Sequence, residues 1–135
     1  MTAAKEQDVV LEVENLSVSL HGGPEIVSEI SFKVHAGETL CIVGESGSGK
    51  SVTSLAVMQI LDAAALRASS GSIRLEGVDL LKASPAKLRS LRAARMSMIF
   101  QEPMTALNPV ERIGDQVLEV LDIHNDGDRR GRHER

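Results

Sequence analysis

Eight consecutive residues, Gly44-Glu45-Ser46-Gly47-Ser48-Gly49-Lys50-Ser51, have the types and spacing of a phosphate-binding loop, G-x-x-x-x-G-K-S. A polyphosphate carries several negative charges close together and needs many donors at short range. Gly44, Gly47 and Gly49 let the backbone turn sharply and come near without Cβ atoms in the way. Amide groups of the loop, through Val52, can then converge on phosphate oxygens, and a helix N-terminus adds its partial positive charge. Lys50 would place a point charge at the β- and γ-phosphates. The Ser51 hydroxyl would serve Mg²⁺, an ion that prefers oxygen donors and keeps several waters.

Such a loop works only between a strand and a helix, and both are legible. The apolar run Leu40-Cys41-Ile42-Val43, flanked by Thr39, reads as the strand, with Cys41 as a small core side chain. Residues 52–61, with apolar positions 52, 55, 56 and 60, suit one face of a helix. Upstream, Leu11, Val13, Leu16, Val18 and Leu20 alternate with a phase slip at Asn15, a strand with a bulge. A turn at 21–24 leads to a second alternating run, Ile30, Phe32 and Val34, and a turn at 35–38 contains His35. Together these predict a β-meander feeding the loop.

Downstream, residues 62–70 read as a connection and residues 71–80 as a strand, a Glu76-Gly77 turn and a short return. Ser84-Pro85 is a helix start, since Ser caps and Pro suits the first helical position. The surrounding Lys87, Arg89, Arg92 and Arg95 read as a solvated face. Met96-Ser97-Met98-Ile99-Phe100 predicts a further strand with both methionines in the core, broken by Glu102-Pro103. Ile113, Val117, Val120 and Leu121 recur at helix spacing. Residues 1–8 and 125–135 read as polar tails.

Composition bounds the rest. The 135 residues are 42% apolar, one domain's length with enough material for a core. A net charge of −4 argues against a nucleic-acid-binding surface. The single cysteine leaves no internal disulfide, which fits a reducing compartment. No targeting segment and no run of membrane-spanning length is seen, so a membrane role would go through a partner chain.

About 50 residues beyond the loop stands Met98-Ile99-Phe100-Gln101-Glu102-Pro103-Met104-Thr105-Ala106-Leu107-Asn108-Pro109. With Gly44–Ser51 it closely resembles the ATP-binding subunits of ABC transporters, within them the dipeptide/oligopeptide importer branch that includes glutathione and nickel importers. The resemblance covers residues from about 9 to 124. It implies an α/β P-loop NTPase fold of the ABC type with a parallel-rich core: a nucleotide-binding core over 9–101 and the start of a helical subdomain over 102–124. It implies ATP and Mg²⁺ as ligands. Gln101 becomes the Q-loop glutamine, whose carbonyl oxygen can reach Mg²⁺ or the attacking water. His21, 23 positions before Gly44, stands near the place where family members stack an aromatic on adenine. The implied partners are transmembrane permease subunits, a second ATP-binding subunit and, indirectly, a solute-binding protein, at the cytoplasmic face of the membrane.

The family's Leu-Ser-Gly-Gly-Gln signature, its Walker B strand with the following Glu, and its switch histidine are absent from these 135 residues. The expectation is therefore the first half of a family ATPase domain, which by itself binds nucleotide without turning it over. Two alternatives stand beside the importer subunit. One is a nucleotide-binding fragment or nonfunctional gene product. The other is a soluble repair-type P-loop ATPase, against which the Gln101 to Pro109 stretch argues.

Overall fold

The alternating apolar residues near the start form β1 (Val9–Leu20) in a computed structural model that describes residues 9–101 and 107–123. Both tails and the Glu102-Pro103 breaker lie outside the described residues. The phase slip is a bulge: Asn15 takes a φ of 46°, and the pairing register shifts between Val13 and Leu16. The extra residue lets Val13, Leu16 and Val18 all be buried. The bulge also frees backbone groups, and side chains satisfy them. Asn15 N–H donates to Ser31 Oγ at 2.8 Å, and Glu29 N–H donates to the buried Ser17 Oγ at 3.0 Å.

β2 (Glu25–His35) returns antiparallel to β1 after the expected turn. β3 (Leu66–Leu75) pairs antiparallel with the other edge of β1, and β4 (Val78–Asp79) closes the sheet in the order β2-β1-β3-β4. The predicted meander is thus a hairpin with β1 at the centre. The predicted connection over 62–70 gives way to strand at Leu66, because the small polar residues there find ladder partners on β1. Gly71, inside β3, has a φ of +90° and lies against the bulge; a Cβ there would overlap the carbonyl oxygens of Asn15 and Glu14.

α1 (Lys50–Val57) is shorter than the predicted 52–61 helix. Gln59 turns to a φ of 55°, while its N–H donates to Ala56 O and that of Ile60 to Leu55 O, both at 3.0 Å. This pair of bonds is a Schellman closure, which stops the helix before Ile60. α2 (Pro85–Ala94) begins where predicted, with Lys87 N–H donating to Ser84 Oγ at 3.3 Å.

The chain divides into two compact units, residues 1–89 and 90–135. The first holds a core of Val13, Leu16, Val18, Val27, Ala56, Ile73, Leu75 and Leu80. Burial of each larger side chain is worth about 1.5–3 kcal/mol, so these residues, rather than the exposed ion pairs, hold the sheet together. Among those pairs Glu12 bridges Lys33 at 2.5 Å and Arg74 at 3.2 Å. The Lys33 hydrogen bond, with Arg74 adding to it, holds the Glu12 carboxyl below its usual range.

The second unit carries α3 (Ile113–Ile123), at the predicted helical spacing. Two predicted strands do not form: residues 40–43 in the first unit and 96–100 in the second are irregular. Apolar runs of this kind suit a strand buried on both faces of a parallel sheet. Among the described residues neither run has a ladder neighbour, and every strand pair is antiparallel. Val43 is consequently 85% exposed and Ile99 93%. Cys41 is exposed rather than in the core, and Met96 and Met98 are only half-buried.

Candidate functional site

The glycine-rich loop is pressed onto β2 at its far end. Gly49 is buried and caps α1 in the left-handed region, with φ 87° and ψ 0°. A Cβ at this position would stand 2.8 Å from Val27 Cγ2 and 3.2 Å from the Ile26 carbonyl oxygen. Only glycine meets both demands, the positive φ and the close approach. The first helical turn is locked from below. Thr53 is buried, and its N–H and Oγ1 both donate to Gly49 O, at 2.8 and 3.0 Å. The open N–H groups at the start of α1 are thereby held in a fixed direction.

Lys50, half-buried at that helix start, folds its side chain back over the loop. Its Nζ donates to Gly44 O at 2.7 Å, to Glu45 O at 2.5 Å and to Ser48 Oγ at 3.1 Å. The loop is braced by Ser48 N–H donating to Glu45 O at 3.2 Å. Glu45, Ser46, Gly47, Ser48 and Ser51 are exposed, and Val52 is half-buried. Beside the loop lies a cavity of about 430 Å³, whose lining includes Ile26, Phe32, Val43, Gly44, Ser48 and Lys50. Chemically the arrangement offers a positive charge, helix-end amides and a free serine hydroxyl on one open surface.

Each residue of the loop predicted for phosphate is therefore in one place. His21 sits in the β1–β2 turn, exposed, and does not line that cavity. Its ring is tied down: Nε2 lies 3.0 Å from Ala63 O, and since a carbonyl only accepts, Nε2 carries the proton. Its backbone N–H donates to Ala65 O at 2.9 Å. Gln101 belongs to the other unit, where it is exposed at a bend following the irregular 96–100 run. His35, the last residue of β2, accepts the N–H of Glu38 at its carbonyl, while its own N–H donates to the Glu38 carboxylate at 2.8 Å. That bond from the His35 backbone, helped by the ring 2.9 Å away, holds the Glu38 carboxyl below its usual range.

Two contributors were not evident from the motif. Thr53 is one; its sole signal is a threonine four residues after Gly49, within reach of that carbonyl in a helix. The other is the Ser48 side chain, which occupies a variable position of the motif.

The sequence profile of the ABC transporter family matches residues 27–133. The chain belongs to the ABC transporter family. Among curated proteins it is 45% identical over 125 residues to the oligopeptide transport ATP-binding protein OppD of Escherichia coli (strain K12), covering 90% of this chain and 36% of that protein. It is 47% identical over 118 residues to the dipeptide transport ATP-binding protein DppD of Bacillus subtilis (strain 168), covering 85% of this chain and 35% of that one. The glutathione import ATP-binding protein GsiA of Shigella boydii is 44% identical over 128 residues, with 89% and 20% covered. The chain thus spans between about a fifth and two-fifths of the length of such relatives. The antiparallel sheet beside a P-loop and helix agrees with the N-terminal half of an ABC-type α/β domain.

This family implies nucleotide binding, with Mg²⁺ typical. The residues fit both. Gly49 lets the loop sit close against β2 in the left-handed region, the lysine and helix end supply charge, and Ser51 is exposed at the helix start. Among the described residues no group of three or more His, Cys, Asp or Glu side chains could hold a metal alone. Mg²⁺ would accordingly share the Ser51 hydroxyl with phosphate oxygens and water. No helix among the described residues is long and apolar enough to cross a membrane.

Proposed function

We propose that this protein is an ATP-binding, energy-coupling subunit of an ABC importer for peptides or similar small solutes. The observation that carries the proposal is the Lys50 ammonium held over Gly44, Glu45 and Ser48 at the N-terminus of α1. The peptide and glutathione relatives support the solute class. In this reading residues 44–52 bind the triphosphate by their amides, and Lys50 neutralises charge on the β- and γ-phosphates. Ser51 is a ligand of Mg²⁺, which when bound neutralises phosphate charge. Gln101 is the Q-loop glutamine, taking part in catalysis and serving Mg²⁺. His21 offers a π-surface to adenine.

The proposed organisation is a nucleotide-binding core over 9–101 and the start of a helical subdomain over 102–124. The proposed partners are permease subunits and a second ATP-binding subunit at the cytoplasmic face of the membrane, with a solute-binding protein acting through the permease.

The test is equilibrium binding of a labelled MgATP analogue to wild type and Lys50→Ala. Removing the charge while leaving the loop backbone should weaken binding tenfold or more, about 1.4 kcal/mol. Unchanged affinity would mean that the loop is not the nucleotide site.

A further inference from the structure

β1 and β2 each carry a residue in the left-handed region at the same level of the sheet: Asn15 and Glu29, both with a φ of 46°. They flank the Leu16–Ile30 pair, and two serines answer them across the ladder. Ser31 Oγ accepts the Asn15 N–H at 2.8 Å, and Ser17 Oγ accepts the Glu29 N–H at 3.0 Å. Each strand thus bulges opposite a serine of the other. The two bulges are not alike. Asparagine enters the left-handed region readily, and the Ser31 hydroxyl also donates to Asn15 Oδ1 at 3.3 Å. Glutamate is strained there, and Glu29 is exposed, so its backbone depends on the hydroxyl of the buried Ser17.

The register shows what the second bulge does. Val13 pairs with Phe32, Leu16 with Ile30 and Val18 with Val27. Between the first two pairs β1 holds one residue more than β2, and between the second two β2 holds one residue more than β1. The second slip cancels the first. Without it Val18 would meet Ser28, and Val27 would turn to the opposite face, because side chains alternate with a period of two. Val27 is the buried side chain on which Gly49 sits: a Cβ at Gly49 would stand 2.8 Å from its Cγ2 and 3.2 Å from the Ile26 carbonyl oxygen. The bulge at Glu29 therefore sets the seat of the loop and of the first turn of α1.

We infer that Ser17 is a positioning residue for the nucleotide loop: its hydroxyl holds the Glu29 bulge, and the bulge keeps Val27 and the Ile26 carbonyl under Gly49. Ser31 does the same for the first slip. The inference rests on the nucleotide reading above and extends that site to a serine of the neighbouring sheet.

Binding of MgATP and of magnesium triphosphate is measured on the full chain and its variants, each under conditions where circular dichroism shows it folded. Ser17→Ala leaves the Glu29 N–H without this partner and should weaken both ligands alike, by about threefold or more. The Gly49 amide resonance should move with it. Glycine adopts a positive φ without strain, so Glu29→Gly added to Ser17→Ala should bring both ligands back to within about twofold of wild type. Gly77→Ala, which strains the β3–β4 turn, is the control: it should leave affinity and the Gly49 resonance unchanged. Should Ser17→Ala fold poorly, Ser31→Ala decides, since Ser31 is exposed. It should show the same kind of loss, and Asn15→Gly should restore it.

Wild-type affinity in Ser17→Ala, or a loss that Gly77→Ala matches, would overturn the positioning role and leave Ser17 as a brace of the sheet alone. A loss that Glu29→Gly leaves uncorrected would overturn it too. If Lys50→Ala weakens binding and Ser17→Ala does not, the positioning role fails while the nucleotide reading stands. If Lys50→Ala has no effect, both fail.

Discussion

His21 is the residue where a single contact most constrains a role. Ala63 O holds Nε2 as the protonated nitrogen and fixes the ring on an exposed turn. A ring so tied can present a face to a base without the entropy cost of freezing it on binding. An imidazole is a smaller π-surface than a tyrosine or tryptophan ring, and no aromatic stands near it in sequence. If the face is what matters, His21→Ala should weaken ATP more than inorganic triphosphate, and His21→Tyr should strengthen ATP. Competitive binding of the two ligands reads this directly. Equal losses, or none, would leave His21 as a turn residue. At this scale the loop was fully legible, because G-x-x-x-x-G-K-S fixes type and spacing together. The brace beneath it was not: nothing in the spelling of Ser48 or Thr53 shows that one side chain meets Lys50 and the other Gly49.

At the scale of elements, the bulge is the informative feature. The slip at Asn15 was readable because side-chain alternation has a period of two, and one extra residue inverts it. Its counterpart was not readable: Gly71 stands inside a strand, and only the register shows it facing Asn15 and Glu14. Gly71→Ala should destabilise the sheet by about 2 kcal/mol or more, combining positive-φ strain with overlap on fixed backbone atoms. Gly77→Ala, at a similar φ of +80° but with open space, should cost about 1 kcal/mol. Chemical denaturation of the two variants checks the order. Equal losses would mean that backbone angle alone, and not the bulge, dictates the glycine in β3.

The strand predictions at 40–43 and 96–100 failed for a reason that also belongs to elements. Apolar runs report that a segment is suited to burial; they do not supply its neighbour. A strand is a paired object, and where no ladder partner is present the same residues are left irregular and exposed. The helices fared better because their hydrogen bonds are internal to the segment. Even so, the end of α1 at Val57 depended on Gln59 entering the left-handed region, which a glutamine does not advertise.

Over the whole molecule, apolar surface is left open in each unit: Leu40, Ile42 and Val43 in one, Ile99 and Phe100 in the other. Surfaces of this kind call for cover and favour association when they lack it. Hydrolysis asks for more than binding: an in-line water, a group that orients it, and fixed charge on the γ-phosphate. Lys50, Ser51 and the proposed Gln101 supply part of this. The Walker B carboxylates and signature motif do not occur in these 135 residues. The 135-residue chain by itself should therefore show no steady phosphate release above a Lys50→Ala control. Turnover that vanishes in Lys50→Ala would mean that other carboxylates, such as Glu102 or Asp122, take part.

The central claim is that the loop and the start of α1 are the surface that meets phosphate. Titration of the nitrogen-labelled chain with MgATP, followed by amide resonances, tests it most directly. The account predicts that the largest shifts fall on Gly47, Gly49, Lys50 and Ser51, the amides that stand free at the loop and helix start. Saturable binding that leaves these four amides unmoved would contradict it.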